Sequence, residues 1–421
     1  MNGKAGHSIC IVGAGVAGLS AAKSARAANP SANVTLITQE ASLPYWRPDL
    51  SKRFLATSYA FPTLLTSVAA LALARISLLD GWGVEGIDLT RGRLLGPRAQ
   101  LSFDRLVLAP GAVSAQIALP GAQLPGVRRL RTLADARALR SRLLTANRVV
   151  VIGGGLIGLE IAANARRLGK AVTIVERAPH ILSRCFPAML AAEVGAYHAT
   201  LGVEFHLATR VEAFLGRETV NGVMTSAGQL AADLVIVATG AKPDTQLATA
   251  AGIDCNDGII VDEHCRTSAG GVWAAGDATR VRADGGDYRL ENWRHADEQG
   301  QVAGANAAGA DVSYTPAPWF WSDQGELHLQ GCGTFCADAE EVVRPGQDGC
   351  SQIVFQRRAG TLSAAYCLSL RNALAKDLPF LARLVAQRTP VSAATLTDPA
   401  VPLKTIWREH EIARARVAAP H

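Results

Sequence analysis

Gly13-Ala14-Gly15-Val16-Ala17-Gly18 and Gly153-Gly154-Gly155-Leu156-Ile157-Gly158 are two copies of one turn within a single chain. Each follows an apolar run, Ile9 to Val12 or Val149 to Ile152, and each opens a helical stretch. Each is answered by a second strand of nearly the same wording, Val34-Thr35-Leu36-Ile37 and Val172-Thr173-Ile174-Val175. Strand, glycine turn, helix, strand is the unit that lays a dinucleotide pyrophosphate on a helix N-terminus. The first glycine permits the tight turn, the second lets the backbone approach the phosphates, and the third lets helix and strand pack closely. One copy is a weak signal. Two complete units predict two dinucleotides brought together, as electron transfer between them requires.

The rest of the chain sorts around these repeats. At 421 residues and 49% hydrophobic content it can fill several cores. The net charge of +6 comes from scattered arginines with no polybasic run, so nothing suggests nucleic acid. Eight cysteines, at 10, 185, 255, 265, 332, 336, 350 and 367, form no C-x-x-C pair. Cys332-Gly-Thr-Phe-Cys336 has the wrong spacing for a redox dithiol, and no histidines complete a metal site. Reduced structural thiols and the lack of an apolar leader core predict a cytoplasmic protein. Residues 61–79 are the most lipid-like, but Pro62, Thr63, Thr66, Ser67 and Arg75 interrupt them. They read as a buried helix followed by a strand, not as a membrane span.

The first unit runs to Leu106-Val107-Leu108-Ala109-Pro110-Gly111, and the second ends in close echo at Leu234-Val235-Ile236-Val237-Ala238-Thr239-Gly240. From Gly325 the pattern changes to short alternating strands, then helices over 376–387 and from Leu403. The expected fold is α/β, with two Rossmann-like dinucleotide-binding domains plus a C-terminal α+β domain. The expected boundaries are 1–115 and 245–324 for the first domain, 116–244 for the second and 325–421 for the third.

Glu176 stands at the end of the second unit's second strand, where an acidic side chain accepts hydrogen bonds from an adenosine ribose and repels a 2′-phosphate. It favours NADH over NADPH, although Arg177 beside it can tolerate the phosphate. Thr38, Gln39 and Glu40 occupy the matching point of the first unit, so its ribose ligand stays open among them. Gly276-Asp277 ends an apolar strand and is expected to begin a helix, where a carboxylate can bind the hydroxyls of a ribityl chain.

Further strings carry a family resemblance. Leu43-Pro44-Tyr45-Trp46-Arg47-Pro48-Asp49-Leu50-Ser51-Lys52 resembles the segment after the FAD strand of NADH-dependent ferredoxin reductases from oxygenase and P450 systems. Leu130-Arg131-Thr132, Val272 to Asp277, Glu291-Asn292-Trp293, Pro318-Trp319-Phe320-Trp321-Ser322-Asp323-Gln324 and Pro402-Leu403-Lys404 are similar too, spanning nearly the whole chain. The resemblance implies a resident FAD on Gly13, Gly15, Val16, Ala17, Gly18, Gln39, Glu40, Arg47, Lys52, Val84, Ala109, Arg131, Asp277, Trp293 and Trp321. It implies NADH on Gly153, Gly154, Gly155, Leu156, Ile157, Glu160, Glu176, Arg177, Arg184 and Gly240. Glu160, placed in the first turn of its helix, and Lys52 are expected to pair beside the flavin as the catalytic residues. Trp293, Trp319 and Trp321 are expected to wall the flavin edge, where an acidic [2Fe-2S] ferredoxin collects electrons for a P450 or ring-hydroxylating oxygenase.

The chain also departs from the family pattern. Asp49 replaces a proline, Gln39 an acid, and Gly325-Glu326 a Tyr-Asp pair. Three rival readings keep the same cofactors. A disulfide reductase needs a dithiol after the first helix, which is absent here. A monodehydroascorbate reductase or NADH oxidase would serve a small molecule, and a protein like apoptosis-inducing factor would have a binding role. The Trp-Phe-Trp-Ser-Asp-Gln string favours the ferredoxin reductases.

Overall fold

Alternation inside the first strand sets the architecture. In Ser8–Val12, Ile9 and Ile11 pack into one apolar cluster and Cys10 and Val12 into another. A strand buried on both faces belongs in the middle of a covered parallel sheet. The computed structural model describes residues 7–56, 59–97, 99–283, 286–315, 318–346, 348, 351–371 and 373–418, and it puts the strand there. The sheet runs in the order Val272–Ala274, Arg105–Leu108, Ser8–Val12, Asn33–Ile37, Ile76–Leu79, all parallel. The second copy runs Val127–Arg128, Leu234–Val237, Arg148–Ile152, Ala171–Val175, Val203–His206, again all parallel. Val149 and Val151 face one cluster there, Val150 and Ile152 the other.

The duplication reaches beyond the motifs. Each sheet is accompanied by a three-stranded antiparallel meander, Gly86–Asp88, Arg93–Leu95 and Gln100–Ser102 in one, Val211–Gly216, Val220–Thr225 and Gly228–Ala231 in the other. The copies differ at one edge. The outer strand beside Arg105–Leu108 comes from downstream in the chain, whereas the one beside Leu234–Val237 comes from upstream.

The chain folds as two compact units, one of Met1–Phe54, Ser58–Ala115 and Ala241–Pro316, the other of Leu55–Thr57, Gln116–Gly240 and Ala317–His421. Two expected boundaries need correction. Ala241–Pro243 pairs with Ala112–Ser114, so the first unit resumes at Ala241 and not after 244. The division at 324/325 would cut a hairpin, because Trp319–Gln324 pairs antiparallel with Leu327–Gly333. That strand is the edge of a five-stranded antiparallel sheet continued by Thr361–Leu370, Gln352–Arg358 and Glu340–Pro345. One face of this sheet, with Leu329, Val354 and Tyr366, shares a core with Val151, Leu159 and Ile174 of the second glycine unit. The other face, with Ile353, Phe355 and Cys367, is covered by Leu381, Leu384 and Leu403 of the terminal helices.

Residues 61–79 also differ from expectation. Their helix is only Val68–Leu73; it buries Leu71 and leaves Val68 and Leu73 in water. The segment is rich in alanine, which raises hydropathy without demanding burial. Elsewhere, close helix contact is built by glycine. Trp293–Ala307 crosses Val16–Ala28 so tightly that a Cβ on Gly300 would stand 2.3 Å from the Ala17 carbonyl oxygen, and one on Gly304 2.0 Å from that of Ala21. Among the described residues no helix is long and apolar enough to cross a membrane.

Candidate dinucleotide sites

Both glycine turns have the geometry their spacing predicts. Gly13 and Gly153 adopt φ of +104° and +108°, closed to most side chains. A Cβ on Gly18 would stand 1.7 Å from the Gly13 carbonyl oxygen, and one on Gly158 2.2 Å from that of Gly153. These third glycines therefore set the helix against the turn. A Cβ on Gly15 or Gly155 would meet nothing within 4 Å, so the backbone there opens onto free space. Those same glycines cap the helices Val16–Ala28 and Leu156–Arg167 without any side-chain cap. Each turn thus presents uncapped N–H groups at a helix N-terminus to an open cradle, which fits a pyrophosphate.

In the second unit the predicted residues converge. Glu176 follows Ala171–Val175 directly; its Oε2 accepts from Gly154 N at 2.7 Å and its Oε1 from Ala178 N at 2.7 Å. Two backbone donors fix the carboxylate beside the turn and leave oxygen lone pairs for ribose hydroxyls. Gly154 must be small, because a Cβ would lie 2.8 Å from Ile181 Cγ2. The chain then curls under the turn, with Leu182 N donating to Gly154 O at 3.0 Å. That curl brings the Arg184 guanidinium to 3.5 Å from where a Gly240 Cβ would be. Arg177 is exposed, and Ile157 is 46% exposed on the cradle helix.

In the first unit, strand register shows which residue stands where Glu176 stands in the second. Val12 pairs with Ile37 as Ile152 pairs with Val175, so Thr38 is the true counterpart of Glu176. Gln39 points to solvent. Glu40 is engaged: its Oε1 accepts from Arg47 Nη2 at 3.0 Å and its Oε2 from the Tyr45 hydroxyl at 2.8 Å. Ala109 closes the turn from below, its carbonyl oxygen 2.0 Å from a Gly13 Cβ position. Asp49, the departure from the family proline, is buried, and its Oδ2 accepts from both the Thr63 amide and the Thr63 hydroxyl at 2.9 Å. It fastens the segment carrying Arg47 and Lys52 to residues 63–65. Val84 packs half-buried at the rim of the neighbouring core.

Gly276-Asp277 corrects another expectation. Asp277 lies in the turn between the strands Val272–Ala274 and Thr279–Val281 and begins no helix. The helix N-terminus at this place belongs to Trp293–Ala307, capped by Asn292. Gln299 of that helix accepts from Gly276 N at 2.7 Å and from Thr279 Oγ1 at 2.9 Å, and a Cβ on Gly276 would sit 3.6 Å from Ala296 Cβ. Trp293 and Asp277 are thus joined through one packed corner. His295 there is buried and pushed down to about 4 by desolvation, so it stays neutral, with its Nδ1 2.6 Å from the Tyr314 hydroxyl.

The remaining predicted residues lie in the second unit. Arg131 precedes the Leu133–Thr145 helix, where Thr132 and Asp135 form a capping box and Arg131 N donates to Asp135 Oδ2 at 3.1 Å. Trp321 stacks on Trp319 at 5.1 Å along the edge strand. Glu160 is not in the first turn of its helix; counting from Leu156 it falls in the second, buried, where it accepts from the Ser322 hydroxyl. Strand parity puts Ser322 and Gln324 inward and both tryptophans on the opposite face, a signal that Trp-Phe-Trp-Ser-Asp-Gln carries but that matching it as one string passes over. Cys10, Cys185, Cys255, Cys265, Cys336 and Cys367 are free thiols; burial pushes Cys10 up to about 12 and Cys185 up to about 11, so neither of these two is a nucleophilic thiol. Cys350 lies outside the described residues.

Residues 7–300 match the family model described as pyridine nucleotide-disulphide oxidoreductase, and residues 319–407 match the reductase C-terminal model. The chain is 38% identical to the ferredoxin–NAD(+) reductase component of an anthranilate 1,2-dioxygenase system from Burkholderia cepacia, over 94% of this chain and 98% of that one. It is 36% identical to the ferredoxin reductase component of a chlorobenzene dioxygenase from Cupriavidus sp. (strain PS12), over 93% and 95%. Among solved structures it superposes on the covalent putidaredoxin reductase–putidaredoxin complex with a TM-score of 0.90 and 32% identity, over 97% of this chain and 100% of that one. With both glycine turns intact and the C-terminal sheet in place, the chain belongs to the pyridine nucleotide-disulphide oxidoreductase family, among its NAD-dependent ferredoxin reductases.

Proposed function

We propose that the first glycine turn holds FAD as a resident cofactor, that the second receives NADH, and that electrons leave one at a time to an acidic [2Fe-2S] ferredoxin serving a P450 or ring-hydroxylating oxygenase. The observation that carries this reading is the pair of uncapped, glycine-headed helices open above Gly15 and Gly155, with Glu176 anchored beside only the second. FAD and NADH supply the hydride and one-electron chemistry when bound. The chain's own residues bind, orient and exclude water.

Gly13, Gly15, Val16, Ala17 and Gly18 hold the FAD pyrophosphate, with Ala109 behind the turn and Arg47 and Lys52 on the segment that Asp49 fastens. Asp277 takes ribityl hydroxyls, and Val84 and Trp293 line the remainder. Gly153 to Ile157 cradle NADH, Glu176 takes its ribose hydroxyls, and Arg184 and Gly240 flank the adenosine side. Glu160 serves the nicotinamide end. A net positive chain steers an acidic partner, and the reduced thiols support a cytoplasmic site of action. Anaerobic titration of the purified yellow protein tests the assignment. NADH must bleach the flavin at about one equivalent and NADPH far more weakly; equal bleaching by both would sink the ribose assignment, and a colourless protein would sink the whole reading.

A further inference from the structure

The buried polar groups behind Glu160 form one directed chain, and a single carbonyl fixes its direction. Gln324 is fully buried, and its side-chain amide faces Leu156 O at 3.2 Å and Ser322 Oγ at 2.8 Å. A carbonyl only accepts, so Gln324 must turn its NH2 toward Leu156. Its second N–H then occupies Ser322 Oγ, which sends the Ser322 proton to Glu160 Oε1. Its Oε1 faces His198 Nε2 at 3.2 Å, so His198 must carry its proton on Nε2. Among the described residues His198 Nδ1 has no partner, so no acceptor there competes for the ring proton. Desolvation pushes His198 down to about 4, which keeps the ring neutral and the order intact.

We propose that Ser322 and Gln324 are positioning residues for Glu160, holding its carboxylate in one rotamer and tying the NADH-cradling helix Leu156–Arg167 to the edge strand Trp319–Gln324. The inference rests on the proposal that Glu160 serves the nicotinamide end. Three donors in sequence, His198 to Gln324 to Ser322, all point toward that carboxylate. The second turn of the helix is held through Glu160 and its first residue through Leu156 O, so the strand clamps the cradle at two points. The opposite face of the same strand carries the stacked Trp319 and Trp321. A disturbance of the tryptophan strand therefore reaches the NADH cradle through two side chains.

The test compares S322A, E160A and the S322A/E160A double variant by the limiting rate of flavin reduction by NADH, with NAD+ affinity and melting temperature measured on each. Loss of a hydrogen bond to a charged acceptor predicts that S322A slows reduction about tenfold, with NAD+ affinity nearly unchanged. The double variant is expected to be no slower than E160A, since Ser322 acts through Glu160. An added loss in the double variant, or a wild-type rate in S322A with E160A impaired, overturns the positioning role alone. A wild-type rate in E160A overturns the role of Glu160 and the positioning role with it. A readout independent of turnover is the 15N spectrum of labelled histidine, with H198F assigning the signal. Protonated Nε2 and bare Nδ1 are expected, and a proton on Nδ1 would break the donor chain. If S322A does not fold, Q324M asks the same question from the next link.

Discussion

Glu176→Gln gives the sharpest perturbation of cofactor choice, because the change is a single atom. In the native chain both carboxylate oxygens accept backbone N–H groups, from Gly154 and Ala178, each at 2.7 Å. A glutamine keeps one oxygen and sets an NH2 group against the other N–H, so one of these bonds becomes donor facing donor. A ribose hydroxyl donating to the carboxylate makes a hydrogen bond to a charged acceptor, which contributes about 1.5–3 kcal/mol, so losing the charge costs roughly 10- to 100-fold in NADH affinity. Glu176 is only half-buried, so water can replace some of the lost bond and the lower end is expected. NADPH gains, because the repulsion between the carboxylate and a 2′-phosphate is gone and Arg177 stands next in the chain. The assay is kcat/KM for both cofactors at saturating ferredoxin, with NAD+ and NADP+ dissociation constants alongside. An NADH-to-NADPH preference that stays within twofold of the native protein would refute the placement of the ribose at Glu176.

Two further outcomes follow from the packing. Gly304→Ala drives a Cβ to 2.0 Å from the Ala21 carbonyl oxygen, which must push the crossing helices apart and costs about 3 kcal/mol; melting temperature and FAD retention are expected to fall, while Gly270→Ala, with nothing within 4 Å, leaves both unchanged. His198 and His295 are both depressed to about 4, so the unfolded chain binds more protons between pH 6.5 and 4. Stability therefore falls as pH drops through that window, by on the order of 3 kcal/mol for each histidine at its lower end. Urea midpoints at pH 7 and pH 5 check it, and a midpoint no lower at pH 5 would contradict the neutral burial of both rings.

What is legible in the sequence is whatever local chemistry carries. The glycines of both turns, their flanking apolar strands and the acid at 176 each obey a short-range rule, and the structure shows the backbone those rules require. What stays illegible depends on pairing between distant segments. Only strand register shows that Thr38, and not Glu40, matches Glu176. Asp277 reads as a helix start because the real one, at Trp293, reaches the same corner from farther along the chain. The division at 324/325 fails because the aromatic string, matched as a motif, hides its pairing with Leu327–Gly333, which makes it a sheet edge. Asp49 looks like a lost proline until Thr63 is seen beside it.

In the proposed function, two copies of one fold unit serve two different cofactors, with an iron–sulfur protein as the exit. The most direct measurement is cytochrome c reduction by the flavin-loaded protein under NADH, with and without an acidic [2Fe-2S] ferredoxin. Turnover is expected to rise about tenfold with the ferredoxin present and to fall steeply with added salt. Equal turnover without any iron–sulfur partner would contradict it.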